Sequence, residues 1–131
     1  MMKNNNIKDT ITLYHGTTEE RAKVLLTNGW EPNSSRGGAN CGDPQLFYLT
    51  NVKENALWFA EQNGGDVVLE LKDFPISNLR VDPHDGVGET LEEEINNKFG
   101  LPAYLVTNKS IDKNQFSCPI LKQNKKHRRR I

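Results

Sequence analysis

The stretch Ile11-Thr12-Leu13-Tyr14-His15-Gly16-Thr17 alternates apolar and polar side chains and then breaks into His-Gly. A period of two marks a half-buried strand, so a strand is expected over 11–14 with the histidine at its end. Thr17-Thr18-Glu19-Glu20 then reads as a capping box, in which the Thr17 hydroxyl accepts from the backbone three residues on and Glu20 reaches back. Ala22, Leu25 and Leu26 fall on one helical face, and Gly29 supplies a left-handed stop. The same strand–helix unit recurs further on. Gln45 to Thr50 has strand character, Asn51-Val52-Lys53-Glu54 resembles a second capping box, and Val52, Ala56, Phe59 and Ala60 follow at helical spacing.

Outward from these two units the pattern is less regular. Residues 30–44 are rich in Gly, Asn, Ser and Pro and read as a long loop of the kind that often carries function. Val67-Val68-Leu69-Glu70-Leu71 is a β-branched strand. Residues 81–88 read as irregular. Thr90 with Glu93 opens a third helix, with Leu91, Ile95 and Phe99 on its inner side and Gly100 at its end. Tyr104 to Thr107 is a strand, and residues 116–121 are a further candidate that Pro119 would confine to an edge or bulge. Few, short strands separated by long loops favour an α+β fold, a split, mostly antiparallel β-sheet core with flanking helices.

Bulk composition sets the class. The 131 residues suffice for one modest core, expected over 1–121, with a basic C-terminal tail over 122–131. Hydrophobic content is 35% and charged content 26%, in keeping with a polar globular chain. No apolar run approaches the roughly 20 residues of a membrane-spanning helix. The N-terminal residues have no apolar segment of the secretory kind. Cys41 and Cys118 are far apart and lack metal-ligand spacing, so a cytoplasmic protein with two thiols is expected. The net charge of +0 hides an asymmetry, because Lys125, Lys126, Arg128, Arg129 and Arg130 crowd one end. Such a tail either contacts nucleic acid or an acidic partner, or is simply a solvated terminus.

Several residues are candidates for chemistry. His15 before Gly16 stands at a strand-to-helix turn, where an open glycine backbone and a helix N-terminus suit a phosphate, or a ribose hydroxyl with a carboxamide; a satisfied core histidine has the same appearance. Tyr48 lies opposite in facing to Phe47 and Leu49, so it points either into a cleft or into the core, and alternation alone does not choose. Phe59 lies on the inner face of the following helix and on the residues alone reads first as core packing. Arg36 in the long loop is a phosphate candidate. Asp82-Pro83-His84-Asp85-Gly86 has the composition but not the spacing of a metal site and reads as a polar turn, and no metal is expected. No phosphate-binding Walker loop and no nucleophile elbow is present in the sequence.

Taken together, residues 13–17, the strand 46–50 with Asn55, Ala56 and Phe59 behind it, the strand 67–71 and the strand opening Pro102-Ala103-Tyr104-Leu105-Val106 resemble, in order and spacing, the ADP-ribosyltransferase superfamily, in its diphtheria-toxin-like and poly(ADP-ribose) polymerase-like branch with a His-Tyr-Glu triad. The resemblance implies a mono-ADP-ribosyltransferase that uses NAD as substrate. It assigns the triad positions to His15, Tyr48 and Ala103. It implies that His15 bonds the adenosine ribose, that Gly16 pairs with the nicotinamide carboxamide with Tyr14 and Thr17 beside it, that Tyr48 and Phe59 hold the nicotinamide ring between them, and that Asn55 and Arg36 add contacts to NAD.

Ala103 stands where that family has its glutamate. Three explanations are open: a Glu→Ala substitution of an active parent, a branch that lacks the glutamate, or a carboxylate from elsewhere, such as Glu89, Glu92, Glu93 or Glu94. For the last three, dipole stabilisation of a helix start is the competing account. A small domain of this family without targeting elements suggests a bacterial or phage-related toxin or effector that modifies a macromolecule, with an antitoxin as a further expected partner, and the basic tail with no obvious protein-docking surface favours nucleic acid over protein as acceptor. A non-catalytic NAD- or ADP-ribose-binding module and an RNA-processing transferase or nuclease are the alternatives.

Overall fold

A computed structural model describes residues 10–32, 45–97 and 99–118. Its core is one five-stranded sheet in the order β3-β1-β2-β5-β4, with every pairing antiparallel. The strands are β1 Thr10–Thr17, β2 Phe47–Thr50, β3 Val67–Pro75, β4 Leu79–Val81 and β5 Tyr104–Thr107. Three α-helices accompany them, α1 Glu19–Asn28, α2 Lys53–Gln62 and α3 Leu91–Ile95. The α+β expectation holds.

The sheet is split in the middle. β1 and β3 form a long ladder from Thr10↔Pro75 to Thr17↔Val67, and β2, β5 and β4 form a second one. The two halves meet at a single register pair, Tyr14↔Thr50. Beyond Tyr14 the strands β1 and β2 part, and a gap opens in the sheet.

Strand alternation distributes side chains between two layers. Leu13, Phe47, Leu49, Leu69, Leu71 and Leu105 face one side, where Ala22 and Leu25 of α1, Trp30, Ile111 and Phe116 complete the main core. Phe47 lies at its centre, in ring contact with Trp30 and Phe116; its full burial contributes about 3 kcal/mol. Phe74 and Leu71 are an odd number of residues apart, yet both are buried. A bulge lets them be: between Ile11↔Phe74 and Leu13↔Leu71 the strand β3 carries an extra residue, and Asp73 there has φ 54°. Trp30, expected to open a loop, is instead held by paired backbone hydrogen bonds with Ile111, and Gly29 ends the helix with the expected positive φ of 75° but with ψ −164°, an extended conformation open to glycine and not the left-handed helical one.

Helix α2 covers the other face. It approaches so closely that a Cβ on Gly16 would sit 1.7 Å from the Ala56 carbonyl oxygen. Gly16, Ala56 and Ala60 are thus small for the same reason: two backbones touch there. Gly16 also lines the cavity, so the close approach of α2 is a second reason for a glycine there.

Other boundaries shift. β1 continues as strand through His15, Gly16 and Thr17, so His15 is inside a strand and not at its end. The α1 cap is Thr18, whose hydroxyl accepts from Arg21 N–H, and not Thr17. α2 starts at Lys53 after an N-cap, Val52, that makes no side-chain cap. α3 ends at Ile95, and Phe99 is 70% exposed, because the helix stops before Phe99 can turn inward. Residues 79–81 form β4 on the sheet edge, and only Val81 of them falls in the stretch 81–88 expected to be irregular. Of the candidate strand 116–121, Phe116 is buried and Ser117 bridges Glu70, while 119–121 lie outside the described residues.

Candidate functional site

The gap between the half-sheets opens onto a cavity of about 490 Å³. Its floor is Tyr14, His15, Gly16 and Thr17 of β1 with Tyr48, Leu49 and Thr50 of β2. Ala56, Trp58, Phe59 and Gln62 of α2 form one wall, and Asp82, His84, Asp85 and Tyr104 form the other. This volume suits a small molecule or one half of a dinucleotide.

His15 closes the gap. Its Cβ projects with Leu13 and Thr17 toward the main core, its ring stacks on Phe47 at 4.1 Å, and it is 6% exposed. Nδ1 lies 2.8 Å from the Tyr48 carbonyl oxygen. A carbonyl only accepts, so Nδ1 carries the proton and donates. The imidazole thereby supplies a cross-strand bond where the β1–β2 ladder has run out, and it fixes the Tyr48 backbone.

Phe47 and Leu49 are buried, which turns Tyr48 to the cavity. The alternation that left Tyr48 undecided is settled by the core, which has room for Phe47 on one face only. Phe59 meets Tyr104 edge-on at 5.9 Å, and Trp58 meets Phe59 at 5.1 Å. A chain of aromatic rings therefore runs from the 53%-exposed Trp58 at the rim to Tyr104 inside.

Asn55 does not line the cavity. Its Nδ2 donates to the Tyr104 hydroxyl at 3.0 Å and holds that ring in place. Burial raises the Tyr104 pKa above 10.0, the Asn55 bond opposes the rise, and the Asp85 and Glu94 charges add to it. Tyr14 is also raised, first by burial and then by the charge and hydrogen bond of Glu70, its ladder partner, with Glu54 adding. Both phenols are neutral donors at physiological pH.

Ala103 stands apart from the cavity. Its side chain is 0% exposed and packs in the main core, and its N–H donates to Asn51 Oδ1 at 2.8 Å. Strand alternation gives the cavity face to its neighbour Tyr104. A glutamate at 103 would point away from the site.

A carboxylate reaches the cavity by another route. The loop after β4, read as a polar turn, brings Asp82, His84 and Asp85 to the rim. Asp82 is buried, and its Oδ1 accepts from the N–H groups of His84 at 2.8 Å and Asp85 at 3.3 Å, so it shapes the turn. Asp85 is exposed and free of that structural duty. No spacing rule pointed to this loop; only the sheet order, which sets β4 beside β5, carries it there. Among the described residues no cluster of three or more His, Cys, Asp or Glu is placed to hold a metal ion.

Glu92, Glu93 and Glu94, grouped as helix-start acids, have different fates. Glu92 and Glu93 are exposed, and Glu93 Oε1 accepts from Glu89 N–H. Glu94 is wholly buried. None of them, nor Glu89, lines the cavity. Arg36, Cys41 and the basic residues Lys125, Lys126, Arg128, Arg129 and Arg130 lie outside the described residues. The described cation at the cavity is Arg21, on the first turn of α1. No described helix is long and apolar enough to cross a membrane.

Compared with protein-family models, with curated proteins and with solved structures, the chain matches none.

Proposed function

We propose that this protein is a mono-ADP-ribosyltransferase that cleaves NAD in this cavity and passes ADP-ribose to a macromolecule in the cytoplasm. The observation that carries the reading is the meeting of three aromatic rings, Tyr48, Phe59 and Tyr104, with the Asp85 carboxylate at one cavity. Flat apolar faces suit a nicotinamide ring, and the Tyr104 hydroxyl, which accepts from Asn55, keeps its proton to donate to a carboxamide or ribose, whereas the Tyr14 proton goes to Glu70. Arg21 is the described cation for a phosphate, in the role expected of Arg36.

In the reaction the nicotinamide–ribose C–N bond breaks and nicotinamide leaves with the electron pair. An acceptor oxygen or nitrogen bonds to the ribose carbon and loses its proton. Positive charge builds on the ribose between these events. Asp85 is assigned the task of stabilising that charge and orienting the acceptor, which the resemblance had placed at position 103. The ring contacts hold the leaving group in place for expulsion.

The acceptor we favour is nucleic acid. The described residues hold 15 Asp and Glu against 7 Lys and Arg, so an anionic acceptor would draw its affinity from the basic run at 122–130 and not from the cavity rim.

The test is incubation of the purified chain and Asp85→Asn with NAD carrying label on either the nicotinamide or the adenylate, with total RNA as acceptor. The wild type should release nicotinamide and label RNA. Asp85→Asn should bind NAD within a few-fold of wild type and turn over roughly 100-fold more slowly. Binding without release by either chain supports a binding module, and no NAD binding by the wild type overturns the reading.

A further inference from the structure

Glu94 is a carboxylate on a five-residue helix, yet it is 0% exposed. Three backbone donors converge on it. Oε1 accepts from Val87 N–H at 2.7 Å and Gly88 N–H at 2.6 Å, and Oε2 accepts from Tyr104 N–H at 2.9 Å. Helix capping does not require this, since Thr90 already caps α3 and Glu93 satisfies Glu89 N–H.

The bonds form a circuit. Glu94 holds the far end of the 82–88 loop and the first residue of β5. The Tyr104 carbonyl accepts from Asp82 N–H at 3.0 Å, and the Asp82 carbonyl accepts from Gly86 N–H at 3.0 Å. Asp82 Oδ1 in turn holds the backbone of His84 and Asp85. The loop is also pressed onto α3, since a Cβ on Gly88 would lie 2.6 Å from the Glu94 nitrogen. Loop and strand thus keep a fixed relation through one buried carboxyl group.

We propose that Glu94 is the positioning residue that holds the Asp85 loop against Tyr104, so that carboxylate and phenol face the cavity in one geometry. The inference rests on the reading of Asp85 given above. It also explains why the acid must be a carboxylate: three donors on two oxygens need a group that only accepts. Glutamine offers one accepting atom and one NH₂, so either the loop or Tyr104 N–H would face a donor. Positioning of this kind acts on turnover more than on binding, because a small displacement of a reacting group costs rate first.

The experiment uses the full chain as wild type, Glu94→Gln, Asp85→Asn, the double variant, and Glu92→Gln as an exposed control on the same helix. Amide exchange of Val87, Gly88 and Tyr104 should quicken roughly tenfold or more in Glu94→Gln while the β1–β3 ladder stays unchanged. NAD turnover should fall roughly tenfold in kcat with KM within twofold. The double variant should be no slower than Asp85→Asn alone, because Glu94 acts through Asp85. Unchanged exchange at all three amides overturns the proposal whether or not NAD is bound. Additive losses in the double variant overturn it too and reduce Glu94 to general stability. A wild type without NAD turnover overturns the Asp85 reading, and with it the catalytic part of this one, while the exchange result still decides whether Glu94 fixes the loop.

Discussion

His15 Nδ1 donates to the Tyr48 carbonyl oxygen at 2.8 Å, across the gap where β1 and β2 have stopped pairing. The imidazole takes the place of a ladder hydrogen bond and also stacks on Phe47. His15→Ala removes both the stack and a buried donor and leaves the Tyr48 carbonyl without it. The expected loss is about 2 kcal/mol of unfolding free energy, measured by urea denaturation at pH 8. A loss below about 0.5 kcal/mol would show that the histidine does not hold the half-sheets together.

Gly16→Ala should cost about 3 kcal/mol, at the upper end for overpacking, because the new methyl meets the Ala56 carbonyl and not a movable side chain. The same denaturation measurement checks it. A variant as stable as wild type would mean that α2 lifts from the sheet without penalty.

Ala103→Glu should not create an active enzyme. The methyl of Ala103 is in the main core, and a glutamate there buries an unpaired carboxylate. The variant should be destabilised by several kcal/mol and show no faster NAD cleavage than wild type. A well-folded Ala103→Glu protein with a gain in transfer would revise the facing of β5.

The phenols provide a pH test. The chain has three tyrosines, and absorbance near 295 nm should show that two of them, Tyr14 and Tyr104, ionise above 10.0. A phenol that keeps its proton longer in the folded state favours folding fully below pH 10.0. That contribution is lost as pH rises from 10.0 through the raised folded value, because the unfolded chain releases its proton first. Asp85→Asn removes a nearby negative charge and should lower the Tyr104 value. An unmoved Tyr104 titration would separate Asp85 from the site without any activity assay.

Much of this was legible in the chain. The alternation around Leu13 and around Phe47 located β1 and β2, and Ala22, Leu25 and Gly29 located α1, since local periodicity and a glycine stop need no partner to be seen. The error at Thr17 arose because Thr17 and Thr18 both fit a capping pattern, and the β3 ladder carried the strand on to Thr17. Phe99 failed because helical spacing does not reveal where a helix stops.

By itself the sequence determined the α+β class and the places of β1, β2, β3 and β5 with helices behind the first two, all properties of local pattern; β4 is not among them. Tertiary structure alone decided the rest. It faced Tyr48 outward by filling the core with Phe47, and it buried Ala103 and gave the cavity to Tyr104. It tied Glu94 to three backbone donors, and it brought the Asp82–Asp85 turn beside His15 and Tyr48. Each of these depends on which strand lies next to which. Sheet order is set by long-range packing, for which neighbouring residues carry no signal.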